Sequence, residues 1–219
     1  MQLSNLAQNL GGSVIREMFN EALKMEDTIS FTVGEPDFIT PRPIIEEACR
    51  CWESGMTHYT PNSGVLELRQ AIAEYHANDL KPDPTNQIMV SCGATEAIQM
   101  ALFTLVNPGD EVIVITPAWP NYFGQIGMVG ARMICVPALA DLLRERDIFI
   151  IADEIYSRLV YDDAGYTSIT SFDGIMEKTV YISGFSKMFA MTGWRLGYAI
   201  SQPDIIRNMT KLHENGASC

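Results

Sequence analysis

The stretch Ile88-Met-Val-Ser91-Cys-Gly93-Ala94-Thr95-Glu96-Ala97 joins an apolar run to a helical stretch through one glycine, and the helical stretch continues over residues 96–105. The run is too short for a helix and lacks strict polar alternation, so it reads as a strand covered on both faces. The same kind of run recurs at residues 111–115, 132–136, 148–152, 179–182 and 196–200, with helical stretches between several of them. Short apolar strands alternating with helices imply an α/β fold built from crossover units on a largely parallel sheet.

Upstream of this stretch the chain is helical and loop-rich. Residues 14–25 carry Ile15, Met18, Phe19, Ala22 and Leu23 at spacings of three and four, the pattern of an amphipathic helix. Gly34-Glu-Pro-Asp and Pro41-Arg-Pro then break the pattern, so residues 32–43 are expected to form an ordered crossing loop. A helix is expected over 44–54, a turn-rich loop with Tyr59, Pro61 and Asn62 over 55–64, and another helix over 65–78.

The chain has 219 residues, enough for about one and a half average domains. Its 47% hydrophobic content excludes disorder. With 27 acidic against 15 basic residues the net charge is -12, the wrong sign for a nucleic-acid or anionic-membrane binder. Neither a membrane-spanning run nor a signal-peptide pattern is read from the sequence, so the expected location is the cytoplasm. The five cysteines include no C-x-x-C pair, and His58, His76 and His213 show no ligand spacing, so no metal site is expected.

In open α/β sheets ligands lie beyond the carboxyl ends of the strands. Behind the first strand, Gly93 allows close backbone approach, and the Ala94 and Thr95 amides at a helix start suit an anion. Asp153 directly follows the apolar Phe149-Ile-Ile-Ala152, where an ionised carboxylate needs a cationic or hydrogen-bonding partner, or serves as a helix cap. Ser183-Gly-Phe-Ser186-Lys187 follows the fifth strand, with Arg195 eight residues on. A lysine in apolar surroundings can act as an amine nucleophile, and arginine offers a planar fork to phosphate; judged singly, each also reads as a surface cation.

Taken together and in order, Gly93-Ala-Thr-Glu-Ala97, Ala152-Asp-Glu-Ile-Tyr156, Ser183-Gly-Phe-Ser-Lys187 and Gly193-Trp-Arg-Leu-Gly-Tyr198 resemble the class I and II aminotransferases, fold type I pyridoxal-phosphate enzymes. Gly34-Glu-Pro-Asp-Phe and Thr116-Pro-Ala-Trp119-Pro-Asn-Tyr122 fit the same family. The aspartate and aromatic branch is the most similar. The resemblance implies a three-layer α/β/α domain with a mostly parallel central sheet over residues 44–219. Residues 1–43 would be an N-terminal helix and crossing loop belonging to a small domain.

It also implies roles. Lys187 would hold pyridoxal 5'-phosphate as a Schiff base and then shuttle a proton between the substrate α-carbon and the cofactor. Asp153 would keep the pyridine nitrogen protonated, Tyr156 would donate to the 3' oxygen, and Trp119 would stack on the ring. Gly93, Ala94, Thr95 and Arg195 would cradle the phosphate, with Ser183 and Ser186 bracketing the family's serine position. The Gly34 amide would meet the substrate carboxylate, alongside Trp119. Tyr59 would reach the phosphate of a neighbouring subunit, making a homodimer with shared active sites. The reaction implied is amino transfer between an L-amino acid of aspartate, alanine or aromatic type and a 2-oxo acid. A β-lyase or decarboxylase on the same scaffold, or a non-catalytic remnant, are the competing readings.

The chain departs from the family at one internal place. Val136-Pro-Ala138 runs directly into Leu139-Ala-Asp-Leu-Leu-Arg-Glu-Arg146, without the family's next strand or its Asn-Pro-Thr-Gly loop. The C-terminal small domain, with the arginine that grips the substrate carboxylate, is also missing from the 219 residues. In the family's sheet order the absent strand lies between the strands at 111–115 and 148–152. Its removal would leave edges about 9.5 Å apart, twice the normal spacing, with unpaired amides on both. Two segments of a longer chain joined at 138–139 would account for this. A true deletion is expected to weaken cofactor binding and transamination.

Overall fold

The computed structural model describes residues 3–136, 147–162 and 164–217; the junction at 138–139 lies outside them. In chain order the elements are α1 (Asn5–Asn9), α2 (Val14–Ala22), α3 (Arg42–Glu53), α4 (Leu66–Tyr75), β1 (Ile88–Ser91), α5 (Ala94–Leu105), β2 (Glu111–Ile115), α6 (Asn121–Met128), β3 (Arg132–Val136), β4 (Ile150–Asp153), β5 (Thr179–Gly184), β6 (Gly197–Ile200) and α7 (Pro203–Ala217). They form two compact units, one of residues 1–34 and 105–142, the other of residues 35–104 and 143–219.

The larger unit is built on a four-stranded sheet in the order β1-β6-β5-β4. β4 and β5 are parallel, whereas β6 is antiparallel to both β5 and β1, so the sheet is mixed rather than largely parallel. The reason lies in residues 185–196. A parallel return needs a long crossover, usually a helix. This segment forms only a short 3-10 turn at Thr192–Trp194 and stays at the carboxyl end of β5. β6 therefore starts where β5 stops, with Gly197 level with both Gly184 and Ser91. The carboxyl ends of β1, β4 and β5 and the amino end of β6 thus share one edge of the sheet.

Both faces of this sheet are covered, as the strand composition predicts. On one face Ile88, Tyr181, Tyr198 and Ile200 are buried against Ile72 of α4. The intervening Met89, Val180, Ile182 and Ala199 point the other way by the alternation of a strand and are also fully buried. α5 and α7 contribute buried Ile98, Ala101, Ile206 and Met209. Arg69, buried on α4, donates through Nε to the Gly64 carbonyl and through Nη1 to those of Pro84 and Thr85.

In the smaller unit β2 and β3 form a parallel pair with Glu111 opposite Arg132 and Ile115 opposite Val136, connected through α6. The expectation of cover on both faces fails here: Ile113, Ile115 and Met133 are exposed. α2 ends at Ala22 rather than at residue 25 and buries no residue fully, and Leu23 is exposed.

Candidate active site

The residues singled out in the sequence concentrate at the shared edge of the larger unit. Asp153 closes β4 and lies in register with Ile182 of β5. One of its carboxylate oxygens accepts the Ile155 amide at 3.2 Å, turning the chain so that Tyr156 follows three residues on. The next strand leads through Ser183 and Gly184 to Lys187, whose Nζ stands 5.5 Å from the centre of the Tyr156 ring. Asp153 and Lys187 are partly buried, and Tyr156 is half exposed.

A second group forms where β1 enters α5. Gly93 has a φ of +78°, in the left-handed region that glycine tolerates. A side chain there would meet the Arg195 guanidinium, because an added Cβ would lie 2.5 Å from Nη2. Arg195 is itself left-handed, at φ 58°, and its Nη1 donates to the Thr192 carbonyl at 2.9 Å. Gly197 is needed for close approach: its Cβ would stand 2.4 Å from the Ala94 nitrogen. The first amides of α5 and a planar cation are therefore held side by side by two glycines, a cradle suited to a phosphate dianion.

The serines differ. Ser183 is fully buried and its hydroxyl donates to the Glu154 carbonyl at 3.4 Å, inside the sheet. Ser186 is buried at the turn next to Lys187. The loop residues Glu35 and Thr40 are tied to the segment before β6: Thr192 Oγ1 donates to Glu35 at 3.1 Å, Thr40 Oγ1 to the Ala190 carbonyl at 2.6 Å, and Trp194 Nε1 to Thr40 at 3.0 Å. Tyr59 is 88% exposed, so it is not packed within its own chain. Trp119 and Gly34 belong to the smaller unit, Trp119 just beyond β2 and Gly34 at the end of its N-terminal segment.

Polar groups that the sequence did not single out support this edge from beneath. Glu154 is buried and accepts the Ser168 hydroxyl at 2.5 Å. Its neighbour Tyr166 has its phenol pushed up by burial and by Glu154. Tyr181 is pushed up to about 12, first by burial, so it stays a neutral donor. His76, almost fully buried, contacts Asp79 through Nδ1 at 3.0 Å and the Tyr198 hydroxyl through Nε2 at 2.9 Å. Glu96 accepts the Cys92 amide through Oε2 at 2.6 Å, and its Oε1 is 3.0 Å from Nδ1 of buried His213. The spacing of Glu96 after the glycine could have suggested a capping contact. Nothing local marks His213 as its partner.

Known proteins of one family match this chain along most of its length. The family "Aminotransferase class I and II" matches residues 26–138 and 136–219. An aspartate aminotransferase of Pyrococcus abyssi is 35% identical over 265 aligned positions, covering 100% of this chain and 68% of that protein. Aromatic-amino-acid aminotransferase 2 of Thermococcus litoralis is 33% identical, with 100% and 68% covered. The crystal structure of an aspartate aminotransferase from Thermotoga maritima superposes with a TM-score of 0.90 at 33% identity, covering 99% of this chain and 71% of that one. The two matched stretches meet at residues 136–138, and an alignment of 265 positions against 219 residues places tens of residues in the P. abyssi protein that have no counterpart here.

Proposed function

The chain belongs to the class I and II aminotransferases, and from that premise we propose that it moves an amino group between an L-amino acid of aspartate, alanine or aromatic type and a 2-oxo acid, with Lys187 as the reacting amine. Enzymes of this family depend on pyridoxal phosphate, and the Gly93–Arg195 cradle with the nearby lysine and carboxylate fits that group. When bound, it supplies an electron sink for the pair left on the substrate α-carbon. Lys187 would hold that group through its Nζ and, once displaced by a substrate amine, would be the base placed to hold and move the α-carbon proton. The Asp153 carboxylate would face the ring nitrogen and favour its protonated form, and the Tyr156 hydroxyl would donate to the 3' oxygen. The Ala94 and Thr95 amides, Arg195 and Ser186 would hold the phosphate; the family resemblance would add Trp119 as cover for the ring and the Gly34 amide for the substrate carboxylate.

Further parts of the reading concern assembly and place. Tyr59, exposed on its loop, reaches the phosphate of a second subunit in a homodimer with shared sites. Residues 1–43 belong with a small domain and 44–219 with the cofactor domain. Cys49, Cys51, Cys92 and Cys135 are free thiols, which supports a reducing, cytoplasmic setting. Among the described residues no helix is long and apolar enough to cross a membrane.

The observation that carries the proposal is the meeting of Lys187 and Tyr156 three residues after Asp153 at one sheet edge. The test supplies pyridoxal phosphate, 2-oxoglutarate and L-aspartate, L-alanine or L-tyrosine in turn. New glutamate with the matching oxo acid is expected. Pyruvate and ammonia from a β-substituted donor, with the acceptor unused, would instead identify a lyase. No product from any donor would leave a binding protein.

A further inference from the structure

We propose that Glu96 and His213 act as a positioning pair for the phosphate end of the cofactor site, an inference that rests on the cofactor reading above. Glu96 is the third residue of α5, and its two oxygens serve two different elements: Oε2 takes the Cys92 amide, and Oε1 faces Nδ1 of His213 on α7. An ionised carboxylate only accepts, so His213 Nδ1 carries the hydrogen and donates it. His213 is 3% exposed, so its partner cannot be replaced cheaply by water.

The turn between these contacts is the one that carries the cradle. Ser91 Oγ donates to the Gly93 carbonyl at 3.0 Å, and the Gly93 amide donates to the Ser91 carbonyl at 2.8 Å. With Cys92 anchored from behind by Glu96, the left-handed Gly93 faces the Arg195 guanidinium, and Ala94 and Thr95 open the helix beside it. A carboxylate one turn from a dianion repels it. Its presence there is accounted for if both oxygens are committed behind the turn and their role is to fix where the amides point.

Leucine at this position keeps bulk and helix propensity but can accept neither the Cys92 amide nor the His213 N–H, so both bonds are lost. Asparagine in place of His213 retains an N–H donor near the Nδ1 position, and leucine retains only bulk. The experiment titrates wild type, Glu96→Leu, His213→Leu and His213→Asn with pyridoxal phosphate and separately with pyridoxal, which lacks the phosphate, reading the visible absorbance change. Glu96→Leu and His213→Leu are expected to weaken pyridoxal phosphate about tenfold while pyridoxal stays within about twofold, and His213→Asn to recover most of the His213→Leu loss. Equal weakening of both compounds, or no weakening of either, overturns the proposal. Wild type that takes up pyridoxal phosphate while the variants behave as it does isolates the failure to this pair. Wild type that takes up neither compound overturns the cofactor reading and this proposal with it.

Discussion

Asp153 and Glu154 are consecutive carboxylates with separate surroundings. Glu154 is buried and held by the Ser168 hydroxyl, whereas Asp153 ends β4 beside the strand that leads to Lys187. Replacing Asp153 by Asn is expected to reduce the amino-transfer rate about 10²–10³-fold with the unfolding midpoint little changed, because it removes a charge aimed at the reacting system. Glu154→Gln is expected to cost about 1–3 kcal/mol in urea unfolding, by weakening a buried polar contact. The sequence could place Asp153 through its awkward position after an apolar strand, but it gave Glu154 no role. His76 was equally unreadable, since Tyr198 lies 122 residues away. Burial holds the His76 imidazole below its usual 6.5, with Arg158 adding to that effect and Asp79 opposing it. The unfolded chain therefore binds a proton that the folded chain resists, and stability falls as pH drops through about 6.5, levelling off once the folded site also protonates. Urea midpoints measured from about pH 8 to pH 5 are expected to show this slope, and His76→Gln to flatten it.

At the scale of elements, β1, β2 and β3 match the apolar runs to the residue, because short apolar, β-branched runs bounded by turn residues leave a compact signature whether or not they end up covered. The direction of β6 was legible in principle: residues 185–196 carry no helical pattern long enough for a crossover, so an antiparallel return was the simpler reading. Exposure on β2 and β3 was not legible, because composition reports what a strand can bury and not what is present to cover it. The α3 start at Arg42, two residues earlier than expected, reflects the ease with which Pro43 fits a first turn. The joint between α5 and β6 depends on Gly197. Gly197→Ala would drive a methyl group into the Ala94 nitrogen, a backbone atom that can yield only by moving the helix start. The expected result is a loss of about 1–3 kcal/mol in unfolding free energy together with weaker pyridoxal phosphate binding.

For the whole molecule, the absent stretch matters more than any one side chain. The family's motifs on either side of it are intact, which is why the family was legible from the sequence. Insertion of the corresponding P. abyssi segment at residues 136–138 is expected to tighten pyridoxal phosphate binding by about 10–100-fold, if the asparagine of the family's Asn-Pro-Thr-Gly loop adds the hydrogen bond to the 3' oxygen that the resemblance implies, as read by equilibrium titration. Sedimentation is expected to show a dimer, and mixing Tyr59→Phe with Lys187→Ala chains to restore part of the activity that each lacks alone. The most direct measurement treats the protein with pyridoxal phosphate, reduces it with borohydride and maps the added mass by peptide sequencing. The adduct is expected on Lys187 and to vanish in Lys187→Ala; stoichiometric label on another lysine, or none at all, would contradict the account.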